Sequence, residues 1–179
     1  MSLIVEDGTG ISGAESYAST AYVDAYWTAR PQLAAAALWS AADAAHKEGA
    51  CREATAYVDG TWGNYFRGYR RGWVQGLLWP RSEALDDARG PKGVGYPLPD
   101  LPECIKIAVA ELAGRAIATP LAKDLARGGL IKAVKAGSVD IQYADGAPAR
   151  PTYGVVAMIL APVLNGSQPD APNGQWGWR

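Results

Sequence analysis

The sequence predicts a mainly α fold: a small bundle of about four helices with one β-hairpin, a long glycine- and aromatic-rich loop and an extended C-terminal arm. Three features predict it. Apolar residues recur at helical spacing behind recognisable caps. β-Branched residues flank a single Gly-Ser turn, and glycine and proline crowd residues 60–101. At 179 residues the chain has the length of one domain with extensions, enough to bury a sizeable core without staples.

Leu3-Ile4-Val5 reads as a short strand ahead of a glycine-rich turn. Ser19 suits the N-cap of a first helix over 20–29, with Tyr22, Tyr26 and Trp27 on neighbouring faces; Pro31 ends it. Ser40 then caps a long alanine-rich helix over 41–59, with Ala44, Cys51, Thr55 and Val58 along one stripe. Alanines allow close helix approach but bury little area each, so the core must draw on aromatics elsewhere. Residues 60–101 carry no sustained apolar period and read as one long loop. Pro102 fits the first turn of a third helix over 102–118, where Ile105, Val109, Leu112 and Ala116 repeat at helical spacing. Pro120 interrupts it, and 121–127 adds a short turn of helix stopped by Gly128-Gly129. The hairpin spans 130–143, its strands 130–135 and 139–143 joined at Gly137-Ser138. A last helix over 152–164 uses Tyr153, Val156, Ile159, Leu160 and Leu164, with Pro162 kinking it. Residues 166–179 have too few apolar side chains to fix themselves, and Trp176 and Trp178 are their obvious anchors to another polypeptide. The expected organisation is a domain over 1–165 and an arm over 166–179.

Charge narrows the function. Seventeen basic residues against 18 acidic give a net charge of −1, unlike a protein that coats nucleic acid through surplus Lys and Arg. The balance is uneven: residues 1–60 carry three basic and eight acidic residues, residues 61–92 six basic and three acidic. An acidic face and a basic loop on one molecule suit a head-to-tail contact between copies. Cys51 and Cys104 stand apart in apolar helical contexts and read as reduced core residues. No secretory pattern opens the chain, and the longest apolar run, 155–164, is about half a membrane span, so a soluble protein without membrane association is expected. Gly8-Thr-Gly-Ile-Ser-Gly13 fits a dinucleotide pattern, yet no βαβ unit follows, and a tight turn is the expected reading. His46, the single histidine, sits on a charged helix face without ligand-spaced partners. With no nucleophile–base pair either, the chain reads as a non-enzyme with no cofactor and no metal.

The distinctive segment is Trp62–Arg81, WGNYFRGYRRGWVQGLLWPR. Its aromatics interleave with arginines, which admits three roles: filling a thin core, contacting a second subunit, or stacking bases and neutralising phosphates. Arg67, Tyr69, Arg70, Arg71, Trp73, Trp79 and Arg81 are the candidates for an inter-subunit or nucleic-acid surface. Gln75, Leu77, Trp79 and Pro80 also look structural, because alternation puts Leu77 and Trp79 on one side.

The strings VEDGTGISGAESYAST–AYVDAYW, REATAYVDGTWGNYFRGYRR, QGLLWPR and YADGAPARPTYGVVAMILAPVL resemble a group of tailed-phage proteins over residues 4–165. That group is labelled "DnaT-like single-stranded-DNA-binding protein", and it is similar in structure to head–tail connector (adaptor) proteins. The resemblance implies a virion protein, assembled in the host cytoplasm, at the head–tail junction. There it would form a ring of about twelve copies below the portal protein, continue the DNA channel without sequence-specific binding, and dock neck and tail proteins. In that setting Trp176, Trp178 and Arg179 of the arm would bind the portal or a neighbouring subunit. The near-zero net charge favours the connector; the alternative is a single-stranded-DNA-binding replication protein, and an assembly chaperone is a third class.

Overall fold

The computed structural model describes residues 2–86, 94–122 and 153–165, together with the strand backbones 133–136 and 139–142. In chain order the helices are α1 (Thr20–Thr28), α2 (Ala34–Ala41), α3 (Ala44–Trp62), α4 (Glu103–Ala116) and α5 (Gly154–Leu160). The strands are β1 (Tyr69–Arg70), β2 (Arg81–Ser82), β3 (Leu85–Asp86), β4 (Tyr96–Pro97), β5 (Ala133–Ala136) and β6 (Val139–Gln142), in three antiparallel pairs β1–β2, β3–β4 and β5–β6. The fold is mainly α, as the sequence predicts. The chain divides into two compact units, one of residues 1–121 with 153–179 and one of residues 122–152 that holds β5–β6.

Helix α4 is the axis of the larger unit and packs on α1, α2, α3 and α5. Ile105, Ala108, Val109, Leu112 and Ala113 are completely buried, so the predicted stripe is correct but too narrow: neighbours cover α4 nearly all round. Small residues make that possible. A Cβ at Gly114 would lie 2.4 Å from the Trp27 indole, which instead approaches closely and donates its N–H to the Ala110 carbonyl at 3.2 Å. Large aromatics then fill what the alanines leave. Tyr17, Trp39, Trp62 and Trp79 are 1 % exposed or less.

Ser19 caps α1 as expected, its hydroxyl accepting from the Tyr22 amide at 3.1 Å. The helix predicted over 41–59 is corrected to α3, Ala44–Trp62, and α2, which was not predicted, precedes it. Ser40 lies inside α2 and turns its hydroxyl back to the Ala37 carbonyl. Ala42 is extended, and the cap of α3 is Asp43, which accepts from the His46 amide at 2.9 Å. The Asp43 carboxylate satisfies a free amide of the first turn and complements the positive end of the helix, so α3 starts there. Pro162 ends α5 rather than kinking it. It has no N–H for an α-helical bond, and the chain tightens into a 3₁₀ turn over Ala161–Val163. The predicted strand 3–5 is a single parallel bridge, Val5 with Ser16. The hairpin is present around the expected turn, its strands over Ala133–Ala136 and Val139–Gln142, with Ala133 opposite Gln142 and Ala136 opposite Val139. The helical turn expected over 121–127 falls, apart from residues 121–122, outside the described residues, as does the arm 166–179.

Residues 60–101 are less irregular than expected, since α3 continues to Trp62 and the pairs β1–β2 and β3–β4 follow. The segment that follows α5 ties this region down. Arg67 donates its amide to the Val163 carbonyl at 2.9 Å, and Asn165 donates to the Tyr65 carbonyl at 2.7 Å.

Candidate functional site

The segment from Gly68 to Arg81 forms the site, and three buried side chains fix its shape. Gln75 is 4 % exposed. Its Oε1 accepts from the Gly72 amide at 2.8 Å, while Nε2 donates to the carbonyls of Leu77 at 2.8 Å and Pro80 at 3.0 Å. Trp79 is fully buried edge-on to Phe66, ring centroids 6.0 Å apart. Its amide donates to the Tyr17 hydroxyl at 3.1 Å, which donates to Asp59 Oδ1 at 2.7 Å; the second Asp59 oxygen accepts from the Leu78 amide at 3.1 Å. Helix α3 and the N-terminal segment thus clamp the loop through one carboxylate. Burial pushes the Asp59 carboxyl up to about 6, against the opposing pull of its two hydrogen bonds and of the Arg70 and Arg81 charges. Since its folded value lies above the ordinary one, its contribution to stability is greatest in acid and is lost as pH rises through about 6.

With Gln75 and Trp79 held inside, the residues between Arg71 and Gln75 are pushed out. Trp73 is 96 % exposed and Val74 72 %. Tyr69, Arg70, Arg71, Trp73, Leu78 and Arg81 line an open cleft of about 590 Å³. Two rings and three guanidinium groups therefore share one surface, in reach of a ligand that offers flat faces and anionic oxygens.

Each arginine also works within the chain. Arg81 holds the β1 turn, donating to the carbonyls of Arg67 at 2.7 Å and Gly68 at 2.6 Å. Arg67 donates to the carbonyls of Leu164 at 3.1 Å and Leu85 at 2.8 Å. Arg70 donates to the Gln75 carbonyl, and Arg71 pairs with Asp100. Of the sequence candidates, Tyr69, Arg70, Arg71, Trp73 and Arg81 come together, while Arg67 turns to the Leu164 carbonyl just beyond α5. Trp79 is a correction: a side chain with no exposed surface touches neither DNA nor a neighbour, and the alternation that places it beside Leu77 turns it into the core. Trp176, Trp178 and Arg179 lie outside the described residues.

Sequence reasoning missed Asp59 and Tyr17, which are distant in sequence and carry no motif. It also missed Glu6. This carboxylate, 2 % exposed, accepts from the amides of Gly8 at 2.9 Å, Gly10 at 2.8 Å and Ile11 at 2.9 Å. The amides that would hold a phosphate in a dinucleotide loop are already spent on Glu6, so the glycine pattern is a self-capped turn. Replacing Glu6 with Ala leaves three such amides without their acceptor and is expected to cost about 3 kcal/mol, read as a lower denaturant midpoint.

A second cleft, of about 470 Å³, lies between Trp27 and Trp39. Its acid is already engaged through one oxygen: Asp24 Oδ1 accepts from Trp39 Nε1 and from Lys47 Nζ, each at 2.7 Å. Among the described residues no cluster of His, Cys, Asp and Glu could hold a metal ion, and no helix is long and apolar enough to cross a membrane.

A protein-family model with the description "Putative DnaT-like ssDNA binding protein" matches residues 1–173. No curated protein and no solved structure gives a significant match.

Proposed function

The chain belongs to this DnaT-like family, and on that premise we propose that it is a DNA-contacting protein whose cleft at Tyr69–Arg81 takes single-stranded DNA. The observation that carries the reading is the fully exposed Trp73, beside exposed Tyr69, over a cleft lined by Arg70, Arg71 and Arg81. Exposed rings accept unpaired bases of any sequence, and the arginines lie where the connecting phosphates would run. We read the protein as acting by binding: its displaced carboxyl, Asp59, is held by the Tyr17 hydroxyl and the Leu78 amide.

Modest affinity follows from the charge. Arg71 is partly offset by Asp100, and the whole chain is at −1. Neutralising two or three phosphates gives a salt slope of about −2 for a single strand. A titration of a labelled thymidine oligonucleotide across salt concentrations checks this. Reversing both charges with R70E and R71E should abolish the slope; unaltered binding in that double variant rules the cleft out.

A second reading has its own observation. Every arginine of the loop already donates to a carbonyl or a carboxylate of its own chain, which suits a scaffold more than a grip on phosphate. On this reading the protein is a head–tail connector of a virion. Copies would assemble as a ring below a portal, dock neck and tail proteins, and let DNA pass, with the Trp73–Val74 tip seated on the next subunit. Electron microscopy of the protein, alone and with its portal, distinguishes the two: rings support the connector, and monomers under both conditions exclude it.

A further inference from the structure

We propose that the Trp73–Val74 tip of one copy seats in the cleft between α1 and α2 of a second copy. The proposal rests on the reading of the tip as a subunit contact, and it names the surface that receives it. The tip is apolar and exposed, and the loop that carries it is held in shape. Gln75, buried beside it in the chain, bonds the Gly72 amide and the Leu77 and Pro80 carbonyls. A side chain presented from a fixed loop loses little freedom on binding, and tryptophan is enriched among the residues that dominate such contacts.

Helix α2 supplies the opposite surface. Ala34, Ala37, Leu38 and Ala41 are exposed at helical spacing, so α2 turns an apolar stripe to solvent while Ala36 and Trp39 are buried. No charged residue interrupts it between Leu33 and Ala42. Ala37 also lines the cleft of about 470 Å³, together with Trp27, Pro31 and Trp39 and the polar pair Asp24 and Lys47. That space admits an indole ring. Asp24 uses Oδ1 for both Trp39 and Lys47, and Oδ2 has no hydrogen bond among the described residues, so it can accept the N–H of an incoming indole. Charge favours the same pairing. Helices α1 and α2 lie in the acidic part of the chain, and Asp43 at the start of α3 is exposed. The tip follows Arg70 and Arg71 in the basic segment. Within one chain the two surfaces do not meet, since Trp73 is 96 % exposed. The contact is therefore between copies, and because its two sides differ it repeats, as a closed ring or an open chain. One ring and one valine bury less than the roughly 1,200 Å² of a standard interface, so a single contact is weak and concentration-dependent.

The test is sedimentation velocity from about 1 μM to about 1 mM with the wild-type chain, W73A, A37R and an equimolar mixture of the two variants. The wild type should associate as concentration rises. W73A lacks the insert and A37R has a blocked cleft, so each should weaken self-association at least about tenfold. In the mixture the tip of A37R meets the open cleft of W73A, and a one-to-one complex should form. If A37R does not fold, S40R takes its place, since Ser40 is exposed and lines the same cleft. Self-association retained by either variant overturns the proposal; if A37R alone loses it, the α2 stripes pair with each other, and the connector reading still stands. Variants that are each monomeric and do not combine in the mixture overturn it as well. A wild type that stays monomeric throughout also overturns it, and binding of a thymidine oligonucleotide by that monomer leaves the DNA reading standing.

Discussion

Replacing Trp73 with alanine is expected to weaken single-stranded DNA binding about tenfold and to leave the unfolding midpoint where it was. The two halves of the result have one cause. At 96 % exposure the indole contributes almost nothing to the folded chain, so its removal is a change of surface only. A base stacked on an aromatic face is worth about 1–3 kcal/mol, and about 1.4 kcal/mol is a factor of ten. Tyr69 is 54 % exposed, and its hydroxyl donates to Glu83 at 3.1 Å. The double variant Y69A/W73A should therefore lose about a hundredfold if each ring takes one base. Anisotropy gives the affinity, and a urea titration of the same samples gives the stability. Wild-type affinity in W73A would remove the stacking platform. A W73A that no longer assembles into rings, with oligonucleotide binding absent from the outset, would favour the connector instead.

Trp79, only six residues further on, should behave in the opposite way. Alanine there is expected to cost about 3–5 kcal/mol, the range for emptying a large aromatic site in a core. The ring fills space between Phe66 and the helices, and the amide beside it carries the bond to Tyr17. Loss of packing at Trp79 therefore loosens the clamp that shapes the cleft, and DNA binding should fall as well. W79F is the informative partner variant. The Trp79 indole N–H has no acceptor among the described residues, so phenylalanine gives up volume but no hydrogen bond. Its cost should be less than half that of alanine. Equal losses in the two variants would show that the site depends on the indole N–H and not on the volume of the ring.

These two tryptophans also mark how far the sequence can be read. The caps at Ser19 and the apolar spacing of 105–112 were legible because a helix writes its period and its start into neighbouring residues. Helix α2 was not expected at all, and α3 was started three residues early because Ser40 and Asp43 both suit an N-cap. The structure decides between them: Ser40 bonds back to the Ala37 carbonyl inside α2, and Asp43 takes the His46 amide. In the loop, alternation hinted that Trp79 turns inward. Nothing local says that Trp73 turns outward, or that Arg67 leaves the cleft to hold Leu164, 97 residues away.

By itself the sequence determined the mainly α class, the positions of most helices, the local surplus of positive charge in an otherwise balanced chain, and the segment in which any contact surface had to lie. Those properties depend on composition and on spacings of three or four residues. The tertiary structure alone decided which rings of that segment are core and which are surface, that Glu6 closes the glycine turn, and that Tyr17, Asp59 and Trp79 meet beneath the cleft. Those contacts join residues 42 and 62 positions apart. Their energy comes from burial and from shared hydrogen bonds that exist only once the helices have packed.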